Sequence, residues 1–274
     1  MLTWIREMGD ESIIIHGSVD ETIEQIKYYY RVHIVRKKLR ETNIGVIGYP
    51  SDWLIASGVN YIESQRRWGV NYNSIEFNEL GSFIEEVNQG KANKIARDFI
   101  KNAYDMKEAS EKDVVEAARI YLALKAMCEE YKLNAITLRC FEIISQHNTT
   151  ACLALSLLNS EGIICACEGD MQSAFSMVLL NILTDKKSFL TNPSRIDISK
   201  NEIILAHCTI PLCMTSKYTI RNHFESLMGV GIQGEMKNGP VTVFKCGGSN
   251  LDRYFVSSGQ MLENLNDENL CRTQ

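Results

Sequence analysis

The stretch Ile163-Ile164-Cys165-Ala166-Cys167-Glu168-Gly169-Asp170-Met171-Gln172-Ser173-Ala174-Phe175 decides how the chain is read. Five apolar residues in a row suit a strand buried on both faces. The apolar pattern from Met171 onward suits a buried helix over residues 171–183. Glu168-Gly169-Asp170 is the turn between them. In parallel α/β sheets ligands bind beyond the carboxyl ends of the strands, so two carboxylates at this turn stand where chemistry usually occurs. A second reading stays open: Asp170 caps the helix and Glu168 is solvated.

Working outward, the same alternation repeats on both sides. Strands are expected over residues 44–47, 72–77 and 135–140, and helices over 80–105, 112–131 (with Ser110 as its cap) and 149–159. Strands alternating with amphipathic helices predict a parallel, Rossmann-like sheet flanked by helices over residues 43–186. Before it, residues 12–15 read as a short strand, and Ser18 with Glu21 forms a capping box for a helix running to Arg40. Residues 1–42 thus look like a short or remnant N-terminal α/β segment. After Lys186 the texture changes to short β candidates at 202–208, 231–234, 241–246 and 254–257, broken by Gly, Pro and Asn. Residues 187–274 are expected to be β-rich, antiparallel and incomplete.

Composition narrows the class. The 274 residues are 45% hydrophobic and 23% charged, with a net charge of −5, the balance of a soluble globular protein. That charge gives no reason to expect nucleic acid or an anionic membrane as partner. Arg6, Glu7, Asp10 and Glu11 stand where a signal peptide needs an apolar run, and no stretch approaches the ~20 apolar residues of a membrane span. A cytoplasmic protein is expected. Nine scattered cysteines make no disulfide framework; Cys165, Cys167, Cys208 and Cys213 sit in apolar runs and are read as small hydrophobes.

Gly229-Val230-Gly231-Ile232-Gln233-Gly234 matches the dinucleotide fingerprint letter for letter. The fingerprint works only between a strand and a helix, and here Asn238-Gly239-Pro240 and a β-like run follow, so nicotinamide dependence is disfavoured. No G-x-S-x-G elbow supports a serine hydrolase.

Two further polar groups end apolar runs. His207 closes Ile203-Ile204-Leu205-Ala206, as a structural histidine or a metal ligand, and Glu142 follows the strand at 135–140 beside Phe141. Carboxylates and an imidazole converging at one sheet edge suit Mn²⁺, Mg²⁺ or a similar divalent ion.

The segment from Phe141-Glu142 to Glu168-Gly169-Asp170 is similar, without a gap, to the central domain of L-arabinose isomerases. The resemblance to the L-fucose/L-arabinose isomerase superfamily extends over about residues 44–274. It implies a metal-dependent aldose–ketose isomerase working through an enediol, with Mn²⁺ or another divalent metal, in a homo-oligomer. It implies Glu168 as metal ligand with acid–base involvement, Asp170 in support, His207 as a second ligand, and Phe141 lining the sugar site beside Glu142. Ser51-Asp52-Trp53 resembles a substrate-contacting loop, so Trp53 would wall off the sugar or else fill a domain interface. Asn222-His223-Phe224-Glu225-Ser226 looks like a pattern in fucose-isomerase-like proteins, with no chemical role assigned.

Two departures stand out. The family's second acidic ligand falls at Asn192, which offers a carbonyl oxygen but cannot act as a base. No histidine follows His223, so the family's C-terminal histidine ligand has no counterpart. These departures favour an alternative, a non-catalytic sugar-binding or assembly subunit that keeps the fold. If Glu168 and His207 share a cation, their ligand atoms should approach to about 4–5 Å. The chain alone is expected to show little isomerase activity. Which aldose it acts on is not readable from the residues.

Overall fold

The computed structural model describes residues 1–9 and 12–274; Asp10 and Glu11, two of the charged residues noted near the N-terminus, lie outside the described residues. In chain order the first elements are α1 (Leu2–Glu7), α2 (Val19–Arg40), β1 (Asn43–Ile47), α3 (Tyr61–Trp68), β2 (Asn71–Ile75), α4 (Phe77–Glu85), α5 (Gln89–Asn102), β3 (Asp105–Met106) and α6 (Glu111–Glu130). Then come β4 (Ala135–Leu138), α7 (Cys140–His147), α8 (Cys152–Glu161), β5 (Ile164–Ala166) and α9 (Met171–Thr184). The remainder is β6 (Asn192–Asp197), β7 (Glu202–Ala206), β8 (Lys217–Arg221), β9 (Gly231–Glu235), β10 (Gly239–Gly247) and β11 (Arg253–Met261).

The centre is a parallel sheet in the order β2-β1-β4-β5. Alternation along each strand divides the core into two layers. Ile47, Ile136, Leu138 and Cys165 pack with α4, α6 and α8 on one side. Ile44, Val46, Ala135, Ile164 and Ala166 pack with Leu39 of α2 and Met171, Ala174 and Phe175 of α9 on the other. Burial on both faces explains why these strands read as continuous apolar runs.

Sheet order also fixes where a ligand can enter. The chain leaves β1 for β2 on one side, then crosses to β4 and β5 on the other. The adjacent carboxyl ends of β1 and β4 are therefore a topological switch point, where the diverging loops leave a crevice.

The C-terminal strands are mainly antiparallel: β6 with β7, β8 with β9, and β10 with β11. One parallel pairing, β3 with β8, ties them to the first half of the chain. A third core joins Ala96 and Phe99 of α5, Val114 and Ala118 of α6 and Leu153 of α8 to Tyr218, Ile220 and Ile232.

Several expectations need correction. Residues 12–15 form no strand, and a helix, α1, precedes them; Arg6 donates to the Ser12 carbonyl at 3.2 Å instead of a ladder forming. The single helix expected over 80–105 is two, because Asn88 caps α5 by accepting from Lys91 N at 3.0 Å. The strand expected to reach Phe77 stops at Ile75, and Phe77 opens α4. The strand expected over 135–140 stops at Leu138, and Cys140 begins α7, which closes at Asn148 in the left-handed region. Strands β6 and β8 were not anticipated. Gly229–Gly234 leads into β9 and then β10, with no helix following, so the fingerprint is a decoy. Cys165, Cys167 and Cys208 are buried as small hydrophobes, but Cys213 is exposed. Among the described residues no helix is long and apolar enough to cross a membrane.

Candidate functional site

The turn after β5 is held by backbone geometry that few sequences tolerate. Glu168 and Gly169 both have positive φ, +65° and +72°. A Cβ on Gly169 would lie 2.8 Å from Pro50 Cα and Tyr49 O, so only glycine lets the β1 loop pass this close. Ser51 N donates to Glu168 O at 3.0 Å and Gly169 N to Leu138 O at 2.8 Å, locking this turn to the loops after β1 and β4. A non-glycine residue in the left-handed region costs about 1–2 kcal/mol and persists only where the surroundings over-determine it.

That strained backbone aims Glu168 into the crevice. His207 arrives from the end of β7: its backbone bridges Thr273 in both directions, at 3.0 and 2.9 Å, and its ring is buried. Thr209 Oγ1 lies 3.0 Å from His207 Nδ1, which leaves Nε2 facing Glu168 Oε1 at 3.6 Å. Strand pairing supplies Asn192. It sits opposite Ala206 in the β6–β7 ladder, one residue from His207, and its Nδ2 donates to Glu168 Oε1 at 3.3 Å. Trp53 Nε1 donates to Glu168 Oε2 at 3.4 Å. His207 is the main influence holding the Glu168 carboxyl below its usual range; burial opposes this, and the Trp53 and Asn192 bonds assist.

An aromatic wall flanks these groups. Phe141, in the first turn of α7, meets Trp53 edge-on with ring centroids 5.0 Å apart, and meets His223 in the same way at 5.7 Å. Glu142 is tied down on the other side of that turn, accepting from Gln146 Nε2 at 3.1 Å and lying 3.4 Å from Arg139 Nε. Arg139 also grips Asp52 at 2.7 Å.

Asp170 is differently placed. It caps α9, accepting from Ser173 N at 2.8 Å and Ser173 Oγ at 2.6 Å, and it pairs with Lys245 Nζ at 2.9 Å. Both its oxygens are committed, which makes it a residue that positions the turn. Thus Trp53, Phe141, Glu168, Asn192 and His207 are brought together; Asp170 and Glu142 face partners of their own. Thr209 and Lys245, which orient His207 and Asp170, escaped the sequence reading because each acts through an unremarkable residue type.

The donors suit a hard or borderline divalent cation in part. Two atoms 3.6 Å apart can both reach one ion at about 2.0–2.2 Å, a closer approach than the 4–5 Å expected. An imidazole oriented by a second partner through its other nitrogen is the usual state of a ligating histidine. Asn192 would contribute its carbonyl oxygen if its amide turned over. Among the described residues no group of three or more His, Cys, Asp or Glu side chains is arranged to hold a metal. The seat is therefore one of two strong donors and an amide.

Residues 55–186 match the family model of the L-arabinose isomerase central domain. Phe141, Glu142, Glu168 and Asp170 fall inside that span, and Trp53, Asn192 and His207 outside it. The chain is also similar to sulfoquinovose isomerases. It is 26% identical to that of Clostridium sp. (strain MSTE9) over 252 residues, covering 88% of this chain and 54% of that protein. For that of Alkalicoccus urumqiensis the figures are 23% over 241 residues, 85% and 54%. For that of Priestia aryabhattai they are 23% over 249 residues, 84% and 53%. The chain thus spans about half the length of the curated relatives it matches.

Proposed function

We propose that this chain, similar in its central part to L-arabinose isomerases and along most of its length to sulfoquinovose isomerases, carries the metal seat of an aldose–ketose isomerase of the L-fucose/L-arabinose isomerase type. The observation that bears most weight is the 3.6 Å approach of Glu168 Oε1 and His207 Nε2 at the switch point of the sheet. A buried, oriented imidazole and an ionised carboxylate held in strained backbone are what a metal seat needs and what a mere core contact does not.

In this reading Glu168 and His207 hold a divalent cation, Mn²⁺ in the first instance, with the Asn192 amide beside them. The cation supplies Lewis-acid polarisation of the sugar carbonyl. Trp53 and Phe141 offer apolar edges against which an open-chain sugar lies and from which water is excluded. Isomerisation transfers a proton between C1 and C2 through an enediol. Glu168, beside the reacting carbons, is the carboxylate to move the carbon-bound proton. The hydroxyl proton needs a second group, and both neighbouring carboxylates already have partners: Glu142 holds Gln146 and Arg139, and Asp170 holds the α9 cap and Lys245.

One observation favours a second reading, a sugar-binding subunit without catalysis: Asn192 replaces a base with an amide that cannot take a proton. The two readings share the metal seat and differ in turnover. The substrate class is an aldose. The relatives are named for sulfoquinovose, so an aldose panel should include it. Arg139 and Lys245, the cations near the site, are each already paired with carboxylates.

Calorimetric titration of the purified chain with Mn²⁺ tests the seat. One ion is expected to bind, with affinity falling roughly tenfold or more in Glu168→Gln and in His207→Ala. Equal affinity in all three proteins would sink the assignment. Ketose formation across the aldose panel then separates enzyme from binding subunit.

A further inference from the structure

The segment Asn222-His223-Phe224-Glu225-Ser226 has so far been given no role, yet its histidine touches the aromatic wall of the site. His223 meets Phe141 at 5.7 Å between ring centroids, with the rings at 80°. The residue is 8% exposed. Ser226 N donates to His223 Nδ1 at 3.3 Å, and Ser226 Oγ lies 3.0 Å from the same nitrogen. An Nδ1 that accepts a backbone N–H carries no proton, so the ring proton sits on Nε2. Nε2 has no hydrogen-bond partner among the described residues, and it is not among the buried side-chain atoms that lack one. That nitrogen is therefore unpaired and keeps some access to solvent, although the residue as a whole is largely buried.

The loop that presents it is rigid. His223 N donates to Met228 O at 3.0 Å and Leu227 N to His223 O at 2.9 Å, closing a tight turn with Leu227 at φ +55°. Arg272 Nε donates to Asn222 O at 3.0 Å on one side. On the other, Thr150 Oγ1 donates to Val230 O at 2.7 Å and accepts from Val230 N at 2.9 Å. A Cβ on Gly229 would sit 2.7 Å from Thr150 N, so the loop rests directly on that residue. A side chain held on one nitrogen by a pinned loop, with its ring against Phe141 and its other nitrogen unpaired, is a preorganised hydrogen-bond donor.

We infer that His223 is a sugar-binding residue, donating its Nε2–H to a hydroxyl of an open-chain aldose that lies along Phe141. This rests on the reading of the crevice as a sugar site. It extends that site past the Glu168–His207 seat to the far side of Phe141, and so marks the chain's hold on a hydroxyl distal to the reacting carbons.

Two substitutions separate the ring's two nitrogens. His223→Asn keeps an acceptor near the Nδ1 position and removes the Nε2 donor; His223→Gln places an amide donor near Nε2 and gives up the Ser226 bond. The probe is a linear alditol, ribitol or glucitol, titrated by calorimetry into the full chain with Mn²⁺ present. The wild type is expected to bind, His223→Asn to bind about tenfold more weakly at an unchanged melting temperature, and His223→Gln to recover most of that affinity. Equal affinity of wild type and His223→Asn would overturn the inference and leave the sugar site standing. Loss of affinity in both variants with a lowered melting temperature would mark a structural histidine and overturn it too. An alditol that fails to bind the wild type at all would bring down the sugar-site reading, and this inference with it.

Discussion

At the scale of single residues the chain concentrates its unusual features at position 168. The backbone there is left-handed, at φ +65°, although the side chain is a glutamate. Replacing it by alanine or by glycine removes the same contacts with His207, Trp53 and Asn192, but only glycine is at ease in that conformation. Glu168→Gly is therefore expected to be more stable than Glu168→Ala by about 1 kcal/mol, roughly 2–4 °C in melting temperature. Equal melting temperatures would mean that the turn relaxes and stores no strain. Glu168 and His207 were legible beforehand because a charged or imidazole side chain ending an apolar run is conspicuous. The bond from Trp53 to Glu168 spans 115 positions of sequence, and the Thr209–His207 contact uses a threonine that nothing marks. Such pairings are decided by packing, which periodicity does not carry.

Among elements, α9 and the turn before it show what the sequence could and could not specify. Both readings of Asp170 were open, and the structure gives it the capping role with an added ion pair to Lys245 of β10. Asp170→Ala is expected to lower stability by about 1–2 kcal/mol, and Asp170→Asn by less, since asparagine caps as well and loses only the ion pair. Thermal unfolding of the two variants checks this; equal losses would mean that Lys245, and not the cap, holds the turn. The alternation of strand and helix was readable from apolar runs of different length. The break at Asn88 was available as a capping signal inside one long amphipathic pattern. The start of α7 was not: Cys140-Phe141-Glu142-Ile143-Ile144 is as apolar as a strand, and what turns it into a helix is the sheet edge ending at Leu138.

For the molecule as a whole, the antiparallel strands are anchored to the α/β layers by a charged cluster as well as by apolar packing. Arg221 of β8, its side chain 3% exposed, lies 2.7 Å from both Glu108 and Glu268. Its guanidinium holds the Glu108 carboxyl down to about 2, from an ordinary 4.5. A depressed carboxyl stabilises the fold fully above its unfolded value and loses that contribution as pH falls towards the folded one. Glu108→Gln is thus expected to be less stable than wild type at pH 7 by about 1 kcal/mol, allowing for solvent screening of this half-exposed group. The gap should narrow below about pH 4.5 and close near pH 2 in chemical-denaturation series. A gap that stays constant across that range would show that the ion pair does not anchor β8. Exposed apolar residues at Ile13 and Ile14, and along β11 at Tyr254, Phe255 and Val256, lie outside these cores. Cys246, near the end of β10, is by contrast buried, its N–H donating to Ser176 Oγ of α9 at 2.8 Å. The left-handed turn at Glu168-Gly169 also has a historical consequence. Were selection on ligand binding to lapse in some descendant lineage, position 168 would drift first to glycine or asparagine, the residues that gain stability there, while position 169 could scarcely drift at all. Loss of function at this crevice would thus leave a fossil in the genes: a glycine pair where the glutamate had been.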